Sequence, residues 1–317
     1  MRYRNIQAAA EKALQPVAVP RQCAEMDLVR LVTIAAVGGA SFMFMRVLAP
    51  AIGPILSLEL RLLIASLILL AYYKVIQLDV EWRRFWKPYL AIGLLNSVVP
   101  LGLYSLAALH LPASYLVILH SSAPLFASIF GALWLHETMT PRTWLGLVSG
   151  AIGVALTTGA TPVPLEGVVV WSIAAGFGGA MSFALAGLYM RQFARGINPM
   201  AIAGTSQLLA ALVLLPAVPL SGPRLAFDPS IAFHVLGLAV LCSTFAHVMY
   251  FRLMARLGPT RTLTITFIMP AFGMLWGRLF LGETVSVSMV IGCTIIVVGT
   301  ALVMITRSPT PSTSPHG

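Results

Sequence analysis

Displaced by 146 residues, this sequence falls on itself. Without a gap, Tyr104 meets Tyr250, Pro124 meets Pro270, Phe126 meets Phe272 and Gly131 meets Gly277. The same register joins Glu137 to Glu283, Thr138 to Thr284, Gly146 to Gly292 and Gly153 to Gly299. Leucine matches carry little weight in so apolar a chain. Pairs of Pro, Gly, Glu and Tyr in one register are much harder to obtain by chance. A chain made of two copies of one unit must fold so that the copies pack on each other, and in membrane proteins such duplication places a binding site between the halves.

The chain is 58% hydrophobic and 9% charged, with mean hydropathy +0.90. A soluble domain of 317 residues does not need that much apolar surface, whereas a chain solvated by lipid does. The net charge of +10 would suggest a nucleic-acid partner if it were clustered on a soluble face. The basic residues are instead scattered between apolar runs, so membrane topology explains them and no nucleic acid is expected. Cys23, Cys242 and Cys293 form neither a metal-ligand spacing nor a disulfide framework, so neither metal nor cofactor is expected. Residues 1–30 carry Arg2, Arg4, Lys12 and Arg21 without the apolar core of a signal peptide and read as a cytoplasmic tail. Residues 307–317 are rich in Ser, Thr and Pro and read as a disordered tail.

A membrane helix needs roughly 20 apolar residues. Ten segments qualify, at about 31–49, 55–73, 88–108, 113–135, 143–160, 167–190, 199–219, 231–251, 262–281 and 285–306. With both termini cytoplasmic, the cytoplasmic side receives all of the 20 basic residues except Arg46, Arg61, Arg224 and Arg278. The opposite orientation inverts that bias, against the positive-inside rule. The 146-residue shift then contains an odd number of spans, five, so the second half enters the membrane from the opposite side. The halves, 31–160 and 167–306, are inverted-topology repeats related by a pseudo-twofold axis in the membrane plane. The first span has its partner as well. Ile34-Ala35-Ala36 with Gly38-Gly39-Ala40 matches Ile173-Ala174-Ala175 with Gly178-Gly179-Ala180, at offsets of 139 and 140. An inverted repeat gives one fold two mirror states, which is the basis of alternating access.

These residues resemble a known family. The run from Ser122 and Pro124 through Trp134 to Glu137, followed by Gly146 and Gly153, is similar to the EamA module of the drug/metabolite transporter superfamily. The second copy, Met269-Pro270 through Gly282-Glu283 and then Gly292 and Gly299, is the closer match, and Arg61 sits where the family usually carries an arginine early in the second span. The resemblance covers about residues 30–306. It implies an all-α fold of ten transmembrane helices in two five-helix halves, a central cavity, and movement of small metabolites, often outward. The chain departs from the family pattern in carrying Val37 before Gly38, Arg46 where lysine is common, and Gln207 as the counterpart of Arg61.

Glu137 and Glu283 each precede a span, where a carboxylate faces the positive end of a helix and Thr or Ser caps it; that structural role is favoured over substrate contact. Pro124 and Pro270 lie inside spans and should kink them, as hinges or as packing devices. Arg61, Arg46 and Arg278 are costly charges at membrane depth, rare without a role; for Arg61, near the outer interface, the alternative is that it simply snorkels. Arg278, a turn before Glu283, is read either as its local ion-pair partner or as an anion contact in the cavity. His120 and His247 are membrane-embedded groups able to titrate near neutral pH, so each is a candidate for coupling to a proton. Tyr104 and Tyr250, with Asn96, Ser121, Ser122, Thr264, Thr266 and Trp276, give the same helices a lining suited to an amphiphilic ligand, or else serve helix–helix hydrogen bonding. The glycine pairs, seven residues apart on one helix face, are read as close-packing positions.

The leading expectation is a secondary transporter of a small metabolite in the cytoplasmic membrane. It would work against lipid with a proton or another coupling ion, and a homodimer is compatible with it. No G-x-x-x-x-G-K-[ST] motif is present to hold a nucleotide. An intramembrane enzyme would need a catalytic cluster, and His136-Glu137 lacks the second histidine of H-E-x-x-H. A membrane scaffold or sensor is the third reading. Specificity is expected where the repeat breaks: Arg61 against Gln207, His120 against Thr266, Leu101 against His247, and Ala132 against Arg278.

Overall fold

The computed structural model describes residues 21–159, 167–194, 196–221, 228–257 and 265–305. These form ten helices in succession: α1 (Arg21–Ile52), α2 (Pro54–Val75), α3 (Trp82–Ala107), α4 (Ala113–Leu135), α5 (Pro141–Gly159), α6 (Gly167–Phe193), α7 (Pro199–Leu214), α8 (Pro229–Tyr250, continuing helical to Leu257), α9 (Ile265–Leu281) and α10 (Val287–Ile305). Eight of them are long and apolar enough to cross a membrane. Helix α9 is apolar but shorter. Helix α5, with Arg142 in its first turn, is less apolar and lies along α10. The described residues are otherwise short turns and connections, as expected where every backbone polar group must be satisfied inside a helix.

The starts of the helices follow from local chemistry. Gly53, at φ 89°, turns α1 sharply into α2, and Pro54 occupies the first helical turn where no N–H is needed. Asn198 caps α7 by accepting from the Met200 N–H at 2.9 Å, and Asp228 caps α8 by accepting from the Ser230 N–H at 3.0 Å. That backbone bond, together with the Ser230 hydroxyl, holds the Asp228 carboxyl below its ordinary range. Thr140 and Ser286 cap α5 and α10 through Thr143 and Met289.

Three boundaries differ from the sequence expectation. Helix α1 reaches back to Arg21, so the last part of the expected tail is helical, while residues 1–20 and 306–317 lie outside the described residues. Helix α3 starts at Trp82 rather than near 88, because the amphipathic stretch Trp82–Gly93 joins the apolar span. Helix α4 is two helices, Ala113–His120 and Ala123–Leu135, broken at Ser121-Ser122. The break is where Pro124 removes the N–H that would bond back to His120. Helix α9, by contrast, stays continuous through Pro270.

The inverted repeat is visible in how α5 and α10 touch. A Cβ on Gly146 would meet the Gly299 carbonyl oxygen at 2.5 Å, and one on Gly153 would meet that of Gly292 at 2.6 Å. Gly146 corresponds to Gly292 and Gly153 to Gly299, so a twofold rotation exchanges one contact for the other. The pair therefore crosses antiparallel on the pseudo-twofold axis, its backbones close because no side chain intervenes. Helices α1 and α9 make a similar approach, Gly39 lying against the Gly273 backbone. Helices α3 and α8 both contain π-helical turns, Leu94–Val98 and Gly237–Phe245. These turns fall at equivalent places in the two repeats.

Candidate functional site

Between the halves lies a cavity of about 720 Å³. Its wall takes residues from α1, α2, α3, α4, α6, α7, α8 and α9, that is, from both repeats. It reaches the surface at Arg191 and Pro199, both exposed, beside the α6–α7 connection. At the other end it stops on packed core, where Leu48, Leu111, Ala113 and Tyr115 are at most 1% exposed. That end is also held from outside the first half. Glu283, in the α9–α10 connection, accepts from the Ala113 N–H at 2.6 Å, the Ser114 N–H at 3.0 Å and the Ser114 hydroxyl at 2.5 Å. It thus caps α4, not the following helix α10 as the sequence suggested.

Its counterpart Glu137 is presented by the same backbone turn. The Glu137 N–H bonds to the Gly131 carbonyl at 3.2 Å, and the Glu283 N–H to the Gly277 carbonyl at 3.1 Å. Yet Glu137 forms an ion pair with Arg191 at the cavity mouth rather than capping α5. Equivalent carboxylates therefore meet different partners, one closing a face and one standing at an opening.

Of the residues singled out from sequence, Asn96, His120, His247 and Tyr250 share this cavity wall. Tyr104 lies one layer behind, fully buried, with its hydroxyl 3.4 Å from His120 Nδ1 and its ring edge-on to Phe42. His247 Nδ1 faces the Ser243 carbonyl oxygen at 2.5 Å. A carbonyl only accepts, so Nδ1 carries the proton and Nε2 accepts from the Gln207 amide at 3.5 Å. Ser121 is buried and returns its hydroxyl to the Val117 carbonyl at 2.9 Å. Trp276 donates its indole N–H to the Ala36 carbonyl at 2.8 Å, tying α9 to α1. Thr266 is half-buried on α9 and is not on the wall. Arg278 is exposed, off the cavity, and Glu283 is engaged with α4, so neither expected role of Arg278 is met. Thr264, which extended the polar lining, lies outside the described residues.

Arg61 does not snorkel: it is 7% exposed and lines the cavity, with Nε donating to Ser243 Oγ at 2.8 Å across to α8. The signal was the broken repeat, Arg61 against Gln207, and both residues are on the wall. Leu101 with His247, and Asn96 with Cys242, are further equivalent pairs there. Phe42 and Phe183, unremarkable in so apolar a sequence, supply its aromatic faces. Arg46 also finds a partner, the Ala108 carbonyl at 2.5 Å just beyond α3, where a cation meets the negative end of a helix.

Ten helices in inverted halves around a cavity that reaches the surface at one face are the architecture of the membrane transporter class. The EamA-like transporter family model matches twice, over residues 28–159 and 170–305. The chain belongs to the EamA-like transporter family, within the drug/metabolite transporter superfamily. It is 24% identical over 262 residues to the uncharacterized transporter YvbV of Bacillus subtilis, covering 79% of this chain and 82% of the relative. It is 26% identical over 275 residues to protein PecM of Dickeya dadantii, covering 85% and 88%. A solved protein structure covering 86% of this chain and 96% of its own matches with TM-score 0.61 at 19% identity, which shows the fold.

Proposed function

We propose that the protein is a secondary carrier that exports a small metabolite by alternating access. Its halves, 31–160 and 167–306, would exchange a cavity open inward for one open outward. The observation that carries this reading is a cavity built from both inverted repeats, reaching the surface at Arg191 and facing packed core at the end where Glu283 caps α4. The positive-inside bias puts residues 1–30 and 307–317, and with them the α6–α7 connection, on the cytoplasmic side. The cavity then loads from the cytoplasm, the direction an exporter of the cytoplasmic membrane needs. Neither chemistry on the substrate nor a nucleotide is part of this reading; an ion gradient or the substrate's own gradient supplies the energy.

His120 and His247, both on the wall, are the groups proposed to exchange a coupling proton. The test is a metabolite-resolved comparison of medium and cytoplasm with and without expression, followed by flux of the enriched compound from proteoliposomes across imposed pH gradients. Expression-dependent release and protein-dependent flux are expected. No flux of any compound enriched in the medium contradicts transport. Flux with the same pH dependence in wild type, His120→Ala and His247→Ala removes these histidines from coupling and leaves transport standing.

A further inference from the structure

The cavity wall carries a cation that no described side chain neutralises. The Arg61 guanidinium gives Nε to Ser243, but for Nη1 it has only the Met45 sulfur at 3.6 Å, a weak acceptor. The ion pairs among the described residues are Arg30–Asp27, Arg84–Glu81 and Arg191–Glu137, and none involves Arg61. Glu59, two positions back on α2, leaves the helix from another face, and its carboxylate oxygens have no hydrogen-bond partner among the described residues. No Asp or Glu is among the described residues lining the cavity. A buried guanidinium with donors to spare and no counter-charge is costly to hold. The fold does not demand one there, since the neutral Gln207 fills the equivalent place on α7.

We propose that Arg61 is the anion-binding residue of this cavity, and that its ligand is a small organic monoanion: a carboxylate carried on an apolar or aromatic body. A guanidinium matches a carboxylate in shape and hydrogen-bond geometry, two parallel N–H groups to two oxygens. One unpaired cation at depth balances one negative charge, and a dianion would be left with an excess. The rest of the wall selects the body. Phe42, Phe183, Met269 and Ile202 offer apolar and aromatic surface, with Asn96 and Ser206 as isolated polar anchors. A cationic ligand would meet Arg61 with no acid in the lining to offset it. The inference rests on the proposed reading of this cavity as the transport site.

The test uses three probes with the same ring and different head groups: phenylacetate, phenylacetamide and phenethylamine. Binding to the full-length protein in detergent is measured by ligand-induced thermal stabilisation, and flux is measured separately in proteoliposomes. Phenylacetate is expected to bind at least about tenfold more tightly than the amide or the amine, as a charge-assisted bidentate contact requires. Arg61→Gln should erase that preference, Arg61→Lys should retain part of it, and Arg84→Gln, an exposed arginine off the cavity, should leave it in place. The head-group series on the wild type decides the matter even if Arg61→Gln does not fold. Absence of phenylacetate binding, equal binding of the amide or amine, or a preference that survives in Arg61→Gln overturns the proposal. Transport of phenethylamine without phenylacetate would sink the anion site and spare the carrier. Binding of phenylacetate with no flux of any probe or of any compound enriched in the medium would do the reverse.

Discussion

Glu137 and Glu283 show how far a residue's role can be read locally. Both stand where the sequence expects a carboxylate to meet a helix N-terminus, and for Glu283 the chemistry is of that kind. The helix is a different one. Helix α10 is capped by its own Ser286, which frees Glu283 to satisfy the first turn of α4, a helix 169 residues away along the chain. Nothing in the neighbouring sequence distinguishes these two options, because the choice depends on how the halves dock. Removing the carboxylate with Glu283→Ala leaves the Ala113 and Ser114 N–H groups without their acceptor and should cost about 1–3 kcal/mol. Arg84→Gln breaks an ion pair exposed on both sides, 73% and 50%, and should cost at most about 1 kcal/mol. Thermal denaturation of the two variants in detergent checks the ranking; a larger loss in Arg84→Gln contradicts the cross-repeat cap. Arg61 departs from local expectation for a related reason. Its position along the apolar run suggested an interfacial charge, and only the packing of α2 against α8 shows the guanidinium turned inward.

At the scale of elements, the apolar runs revealed all ten helices, since each is a continuous lipid- or core-facing segment. They did not reveal the internal irregularities. The π-helical turns Leu94–Val98 and Gly237–Phe245 have no residue signature, yet each places wall residues, Asn96 in α3 and Cys242 in α8. Such turns are frequent at functional sites, and their recurrence in both repeats ties them to the cavity. In the second turn Ser243 returns its hydroxyl to the Leu238 carbonyl at 3.1 Å while receiving Arg61 Nε, so the irregularity positions the partner of the buried cation. The glycine pairs were legible as packing positions from their spacing alone. Gly153→Ala puts a Cβ 2.6 Å from the Gly292 carbonyl and 2.8 Å from Ile296, and should destabilise the α5–α10 pair by about 1–3 kcal/mol. Gly167→Ala, with nothing within 4 Å, should change stability by no more than about 0.5 kcal/mol. Equal unfolding midpoints for the two variants would show that α5 and α10 do not pack in this way.

At the scale of the molecule, the duplication carried the most information, because counting spans within it fixed the inversion before any contact was known. It also indicated where to look for asymmetry. Three of the four pairs at which the repeat breaks contribute to the cavity wall, through Arg61, Gln207, His120, Leu101 and His247. The fourth, Ala132 against Arg278, does not. Which broken pair faces inward depends on helix rotation, and in a chain surrounded by lipid apolar residues cover both the core and the outer surface, so periodicity gives little guidance. The two faces of the molecule differ, one latched by Glu283 and one open at Arg191, and the proposed alternating access calls for a second state in which the faces exchange roles. Spin labels at His110 and Thr284 report on the latched face, and labels at their repeat equivalents, Arg256 and Thr138, report on the other. The most direct test is to measure both distances by double electron–electron resonance in lipid nanodiscs. The account predicts two populations for each pair, with conditions that lengthen the 110–284 distance shortening the 138–256 distance. A single unchanging distance in each pair, or two distances that lengthen and shorten together, would contradict it.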